Sequence, residues 1–316
     1  MTEIVLAATG ALTALELARD YASRAMAPNT VRAYRAGWTD FQAFTARMGW
    51  DCLPAEPAHV GAYIASLATT HAMATIDLRL AAIAQMHRLA GHEWNSKHSA
   101  ITQTLRAVRR EHGKPQKQAA AIDTALVAEL VASCDDSAIG VRDRAMLLLG
   151  FAGAMRRSEV VGLQIPDVKV TKAGIRLTIG RAKTDQEGRG AVIGIPHGQH
   201  EDTCPVRALA RWMAMLGLRE GPLFRRLSKG GNLVGYAAMQ PQNVALVLQR
   251  RAELAGIEIA LSPHGLRSGF ITVAYRQGVR DDDIMKHTRH RDIGSMRRYI
   301  RRVDVEVESP AGQLGL

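Results

Sequence analysis

At 316 residues the chain is long enough for two domains with cores of their own, and its 47% hydrophobic content excludes a disordered polyelectrolyte. A formal net charge of +11 points to a polyanionic partner, while no apolar run approaches the length of a membrane-spanning helix. No basic stretch precedes the apolar residues after Met1-Thr2-Glu3, so a secretory signal is not expected, and scattered Cys52, Cys134 and Cys204, with no Cys-x-x-Cys pair, exclude a zinc ribbon and fit a reducing compartment.

Residues 1–27 read as an arm, with a helix around 13–25. A helix then begins at Asn29-Thr30, turns Val31, Tyr34, Trp38, Phe41 and Phe44 inward, and ends at Gly49. A second follows Pro57 with Val60, Tyr63, Ile64 and Leu67; a third spans 73–89 with Leu78, Leu80, Ile83 and Met86 inward; a fourth runs over 99–110. This is a small helical bundle over residues 28–111, decorated by Arg32, Arg35, Arg79, Arg88, Arg106, Arg109 and Arg110. Residues 112–120 are a polar, basic linker interrupted by Gly113 and Pro115, in which Lys114 and Lys117 either track a nucleic-acid backbone or simply solvate a tether.

The second domain, 121–316, opens with helices at 124–133 and 141–150, the latter rich in leucine and leading to Arg156. The period then changes to two, and 174–179 and 191–196 read as short strands joined by a Gly- and charge-rich loop that carries Lys183. Helices return at 205–216, 241–254, 265–277 and 283–286. The expected class is mainly α, with an α+β second domain containing a small antiparallel sheet.

Six residues stand in order in that domain: Arg156, Lys183, His264, Arg267, His290 and Tyr299. Together they suit phosphodiester chemistry, which needs neutralised equatorial oxygens, a protonated leaving oxygen and an aligned nucleophile. The forked guanidiniums of Arg156 and Arg267 match the first task, because each binds two oxygens and keeps its charge. Lys183 is the candidate general acid, and His264 and His290 either accept the phenolic proton or donate to a phosphoryl oxygen. Tyr299 is then the nucleophile, a phenol that a neighbouring base must activate. Glu159, three residues after Arg156, is placed to hold a basic neighbour.

His264 and Arg267, also three apart, share one helix face. His290 and Tyr299 are separated by nine positions. In an unbroken helix that is about two and a half turns, on opposite faces. A break is therefore required, with Asp292 as N-cap and a short helix over 295–301 presenting the tyrosine.

Ala154-Met155-Arg156-Arg157-Ser158-Glu159, Arg181-Ala182-Lys183-Thr184, His264-Gly265-Leu266-Arg267 and the His290…Tyr299 pair together resemble the tyrosine recombinase (phage integrase) family, over nearly everything after residue 28 and in a layout closest to its Cre-like members. Two departures stand out: the common Gly-Leu before the first arginine is Ala154-Met155, and the glycine that often precedes the late histidine is Arg289.

The resemblance implies a helical core-binding domain and a catalytic domain forming a C-shaped clamp on DNA. It implies a homo-tetramer on two duplexes with inverted-repeat sites, a 3′-phosphotyrosine intermediate, and a cytoplasmic, nucleoid-associated location. Segments after Arg302 would bridge protomers, although packing back onto their own domain is the other reading. A type IB topoisomerase and a non-enzymatic DNA-binding module are the alternatives. No metal or ATP requirement is expected: His287-x-x-His290 and His197-x-x-His200 lack further ligands, Asp281-Asp282-Asp283 fits a helix start, and no phosphate-binding Gly-x-x-x-x-Gly-Lys-Ser/Thr loop is present.

Overall fold

A computed structural model describes residues 26–114, 120–180 and 190–300. The chain forms two compact units, Met1–Lys117 and Gln118–Leu316.

The first unit contains α1 (Pro28–Met48), α2 (Pro57–Leu67), α3 (Met73–Leu89) and α4 (Ser99–His112). Proline opens α1 and α2, where its missing N–H leaves no helix bond unmade, and Gly49 closes α1 in the left-handed conformation at φ 70°. The core joins Trp38, Phe41, Phe44 and Tyr63 to Val60, Ile64, Ile76, Ile83 and Ile101. Helix α1 packs on α3 and α2 on α4. The second contact is close: a Cβ added at Gly61 would lie 2.8 Å from the Ala100 carbonyl oxygen.

The inward face of α3 differs from the expected one. Leu78 is 40% exposed, and Ile76 and His87 take the buried positions at 1% each. Buried His87 is satisfied through both ring nitrogens: Nδ1 meets the Ile83 carbonyl at 2.8 Å, and Nε2 accepts the Ala55 N–H at 2.9 Å. A polar residue thus pins the α1–α2 connection to α3, which hydrophobic periodicity does not reveal. Val31 and Tyr34 are half-buried rather than core.

The second unit contains α5 (Thr124–Ala132), α6 (Ala138–Ala152), α7 (Arg157–Gly162), a 3-10 turn (Ile165–Asp167), β1 (Val168–Thr171), β2 (Gly174–Ile179), β3 (Ala191–Pro196), α8 (Pro205–Leu216), β4 (Arg225–Leu227), β5 (Leu233–Ala238), α9 (Pro241–Leu254), α10 (Pro263–Arg276), α11 (Asp281–Thr288) and α12 (Ile293–Arg297). Strands β1, β2 and β3 form an antiparallel sheet in that order; Ile175 faces Ile195 and Leu177 faces Ile193 across the β2–β3 pair. The alternation that marks β2 therefore buries one side of the sheet. Strand β1 and the β4–β5 hairpin carry no comparable signal: β1 buries only Val168, and β5 is exposed or half-buried throughout.

Helix α6 is buried along most of its length, from Val141 to Gly150. It starts at Ala138, three residues before the expected 141, where the Ser137 side chain accepts the Gly140 N–H at 3.1 Å. Within α6, Asp143 accepts from Arg142 at 2.6 Å and from Arg251 of α9 at 2.8 Å, a buried cluster that ties the two helices. Helices α10, α11 and α12 share a smaller cluster of Ile271, Ile284 and Met296, against which Tyr299 rests. No described helix is long and apolar enough to cross a membrane.

Candidate active site

Arg156 is the N-cap of α7, and Glu159 sits at that helix's third position. The Glu159 carboxylate accepts the Arg156 backbone N–H through Oε2 at 2.9 Å and its Nη1 through Oε1 at 2.6 Å. The same Oε2 accepts Nη2 of Arg289 at 2.9 Å. Burial alone would raise this carboxyl's pKa, but Arg289 and Arg156 outweigh it and hold Glu159 below the ordinary range.

Arg267 lies on α10 and is 1% exposed. Its Nη1 donates to the Ala154 carbonyl at 2.6 Å and its Nη2 to the Thr288 carbonyl at 2.5 Å. These bonds aim the guanidinium between the segment preceding α7 and the end of α11. Burial, then the charge of Arg156, pushes Arg267 down to about 9, with Glu159 opposing and Arg289 adding to the fall. Three guanidiniums thus surround a single carboxylate, and the cluster carries an excess of positive charge suited to an anion. The Nε atoms of Arg267 and Arg289 are buried without a hydrogen-bond partner among the described residues.

His290 follows Arg289, the left-handed C-cap of α11. Its Nδ1 lies 2.6 Å from Thr288 Oγ1, and its Nε2 lies 3.2 Å from Arg267 Nη2. Burial, then the charges of Arg267, Arg156 and Arg289, pushes His290 down to about 4, so its imidazole is neutral at physiological pH. Tyr299 sits between two histidine rings, with centroids 4.9 Å from His264 and 5.2 Å from His290. Its backbone carbonyl accepts from Thr272 Oγ1 of α10 at 3.1 Å, which fixes the tyrosine segment to the helix bearing His264 and Arg267.

The expected break between His290 and Tyr299 is present: Asp292 caps α12 by accepting the Ser295 N–H at 2.5 Å. The helix is displaced, however, spanning Ile293–Arg297 instead of 295–301, and Tyr299 lies just beyond it in a turn closed by its N–H to Met296 O at 2.9 Å. Ending the helix early lets the phenol turn toward the two imidazoles.

Arg156, Glu159, His264, Arg267, His290 and Tyr299 are therefore brought together, while Lys183 lies outside the described residues. Three partners were given no role by the sequence reading: Arg289, Thr288 and the Ala154 carbonyl. The departures from the common pattern at Ala154 and Arg289 were the signals available, and Thr288 had none. Both non-glycine residues with positive φ, Ala154 at 45° and Arg289 at 61°, border this site among the described residues. The left-handed region costs an L-residue about 1–2 kcal/mol. His287 has a structural place, with Nε2 2.8 Å from the Ala152 carbonyl and its ring stacked on Phe270 at 4.7 Å. Among the described residues no three of His, Cys, Asp and Glu converge as metal ligands.

In the first unit Arg32, Arg35, Arg88, Arg106, Arg109, Arg110 and Lys114 are exposed, whereas Lys117 lies outside the described residues. Arg32 bonds Asn29, Arg88 bonds Gln85, and Arg109 pairs with Asp77 at 3.0 Å. Arg79 departs from the expected surface role. Its side chain is 17% exposed, pairs with Asp40 and donates to Tyr63 Oη at 2.9 Å, so it ties α3 to α1 and α2.

The model of the phage integrase family matches residues 121–305, and that of the phage integrase N-terminal SAM-like domain matches residues 19–93. The chain is 33% identical over 282 residues to an integrase/recombinase XerD homolog of Selenomonas ruminantium, covering 88% of this chain and 82% of that protein. It is 27% identical over 274 residues to the recombinase Cre of Escherichia phage P1, covering 80% and 78%. In fold it is similar to the Tn1549 transposon integrase solved with transposon right end DNA, at a TM-score of 0.63 and 14% identity over 95% of this chain and 98% of that one. It is also similar to lambda integrase, solved as a tetramer bound to a Holliday junction, at a TM-score of 0.58 and 15% identity over 90% and 74%.

Proposed function

The chain belongs to the phage integrase (tyrosine recombinase) family, and from that premise we propose that it is a site-specific DNA recombinase that cuts and reseals DNA through Tyr299. The observation that carries this reading is the Tyr299 ring held between His264 and His290, beside a guanidinium cluster with excess positive charge.

In the proposed reaction, Arg156 and Arg267 bind the non-bridging oxygens of the scissile phosphate and neutralise charge as it develops. Neutral His290 or its counterpart His264 takes the phenolic proton, and Tyr299 Oη attacks phosphorus. The P–O5′ bond breaks, Lys183 protonates the departing oxygen, and the products are a 3′-phosphotyrosine ester and a free 5′-hydroxyl. Attack by a 5′-hydroxyl of the exchanged strand reverses these steps. The ester retains the energy of the original bond, so the chemistry itself calls for neither metal nor ATP. Glu159 serves by holding Arg156.

The DNA partner is proposed to be a duplex with inverted half-sites, engaged by four copies on two duplexes. The solved tetramer of lambda integrase on a Holliday junction supports that assembly by analogy of fold. In this reading the unit boundaries follow the functional division: an arm at 1–27, a core-binding domain at 28–111, a linker at 112–120 and a catalytic domain at 121–316. Exposed cations on α1 and α4 supply backbone contacts. The tail after Arg302, outside the described residues, is proposed to bridge protomers.

The test begins with a randomised duplex library from which the purified protein selects its site. A nicked version of that site then traps the covalent adduct. Native protein should accumulate adduct and Tyr299→Phe none, with DNA affinity retained; an adduct on the Phe variant overturns the assignment of the nucleophile.

A further inference from the structure

Arg289 occupies a left-handed backbone conformation, φ 61°, that glycine adopts without strain. Its side chain is only 8% exposed, so it does not extend into solvent toward a phosphate backbone. The guanidinium instead donates to four oxygens: Glu159 Oε2 at 2.9 Å, the His287 carbonyl at 2.8 Å, and the Gly153 and Ala154 carbonyls at 3.2 Å each. Two of those carbonyls belong to the segment immediately before Arg156. One of them, Ala154, is the other non-glycine residue with positive φ among the described residues. Two strained backbone positions, far apart in sequence, are thus clasped by one side chain.

The bond to Glu159 has a directional consequence. With Oε2 taken by Arg289 and by the Arg156 N–H, the remaining oxygen, Oε1, meets Arg156 at Nη1. Nη2 and Nε of Arg156 are left without a hydrogen-bond partner among the described residues, a pair of parallel donors of the kind that binds two phosphate oxygens. Without Arg289, the 2%-exposed Glu159 would keep only Arg156 as an ion-paired partner, and a rotated carboxylate would engage more of the Arg156 fork.

We infer that Arg289 is a positioning residue for strand cleavage: by clamping Glu159 and the 153–154 carbonyls, it presents the Arg156 fork to the scissile phosphate and locks the α7 start to the His290 segment. This inference rests on the reading of the site as one that cleaves DNA.

The experiment uses full-length native, Arg289→Gly and Arg289→Lys proteins on the selected, nicked duplex. It records affinity, thermal midpoint and single-turnover adduct formation. Glycine suits the backbone, so Arg289→Gly should fold and bind DNA with affinity close to native. Its adduct formation should slow by about 10–100-fold, as expected when a catalytic group loses its alignment. Millimolar guanidinium chloride should restore part of that rate, and equal sodium chloride should not, because the free cation fits the space left behind. Arg289→Lys, which can pair with Glu159 but cannot clasp the carbonyls as a fork, should fall between the two. A native rate in Arg289→Gly overturns the inference alone. So does a loss of binding and thermal midpoint in step with rate and without guanidinium rescue, which marks a purely structural role. A native protein that forms no adduct on any selected site overturns the functional reading and this inference together.

Discussion

Nδ1 of His290 lies 2.6 Å from the hydroxyl oxygen of Thr288, and that contact decides which ring nitrogen carries the proton. The Thr288 hydroxyl already donates to the Ile284 carbonyl at 2.7 Å, so its oxygen accepts from His290 Nδ1–H. Nε2 is then unprotonated, and Arg267 Nη2 lies beside the ring edge, 3.2 Å from Nε2 and 3.4 Å from Nδ1. A helix-ending threonine thus sets the tautomer of the histidine beside Tyr299, the proposed nucleophile.

Thr288→Val keeps the side-chain volume and removes the hydroxyl. Adduct formation should slow by about tenfold, in the range of second-partner effects on an oriented imidazole, while DNA affinity stays near native. Nitrogen NMR of His290 should show the Nδ1–H form giving way to a mixture. An unchanged tautomer with an unchanged rate would remove Thr288 from this role.

Lys183→Ala should cripple cleavage of an ordinary duplex far more than cleavage of one with a 5′-bridging phosphorothiolate, since a thiolate leaves without protonation. Equal defects on the two substrates would take the general-acid role away from Lys183.

The depressed pKa of His290 has a consequence for stability with a definite sign. Its folded value, about 4, lies below its ordinary 6.5. The unfolded chain therefore binds a proton that the native site resists, and stability falls as pH drops from about 6.5 toward about 4. His287, lowered first by burial, acts in the same direction below 6.5, whereas Glu159 contributes only at lower pH, as its own depressed pKa is approached. In DNA-free protein, His290→Asn should lose less thermal stability than native over that window. Parallel pH curves would show that His290 titrates normally.

The exposed and internal arginines of the first unit should separate in a salt titration. Neutralising one backbone-contacting residue among Arg32, Arg35, Arg106, Arg109 and Arg110 should lower the log–log slope of DNA affinity against salt by about one. Arg79→Ala should instead cost about 1–2 kcal/mol of stability in denaturant, by removing the cation that pairs with Asp40 and donates to Tyr63 Oη. A changed slope with unchanged stability would return Arg79 to the DNA-facing set.

Much of this molecule is local information. The bounds of α3, β2, β3, α8 and α9 follow from period, proline and glycine, because each element buries a mainly apolar face or alternating row. The residues proposed for the site were also read from short sequence patterns, since phosphate chemistry needs particular groups, and the structure brings together all of them except Lys183, which lies outside the described residues. Even the break before Tyr299 follows from helix geometry, with Asp292 as its visible cap.

What the sequence could not settle depends on contacts between distant segments. Arg289 and Glu159 are 130 residues apart, and nothing near either predicts their pairing. Arg79 reads as one more surface arginine until Asp40, 39 residues away, meets it. Strand β1 and the β4–β5 hairpin take their form from backbone pairing, which leaves no alternating row in such short or exposed segments. Side-chain chemistry is written residue by residue, whereas the direction in which a guanidinium or imidazole points is set by whichever carbonyls and carboxylates the folded chain brings within about 3 Å of it.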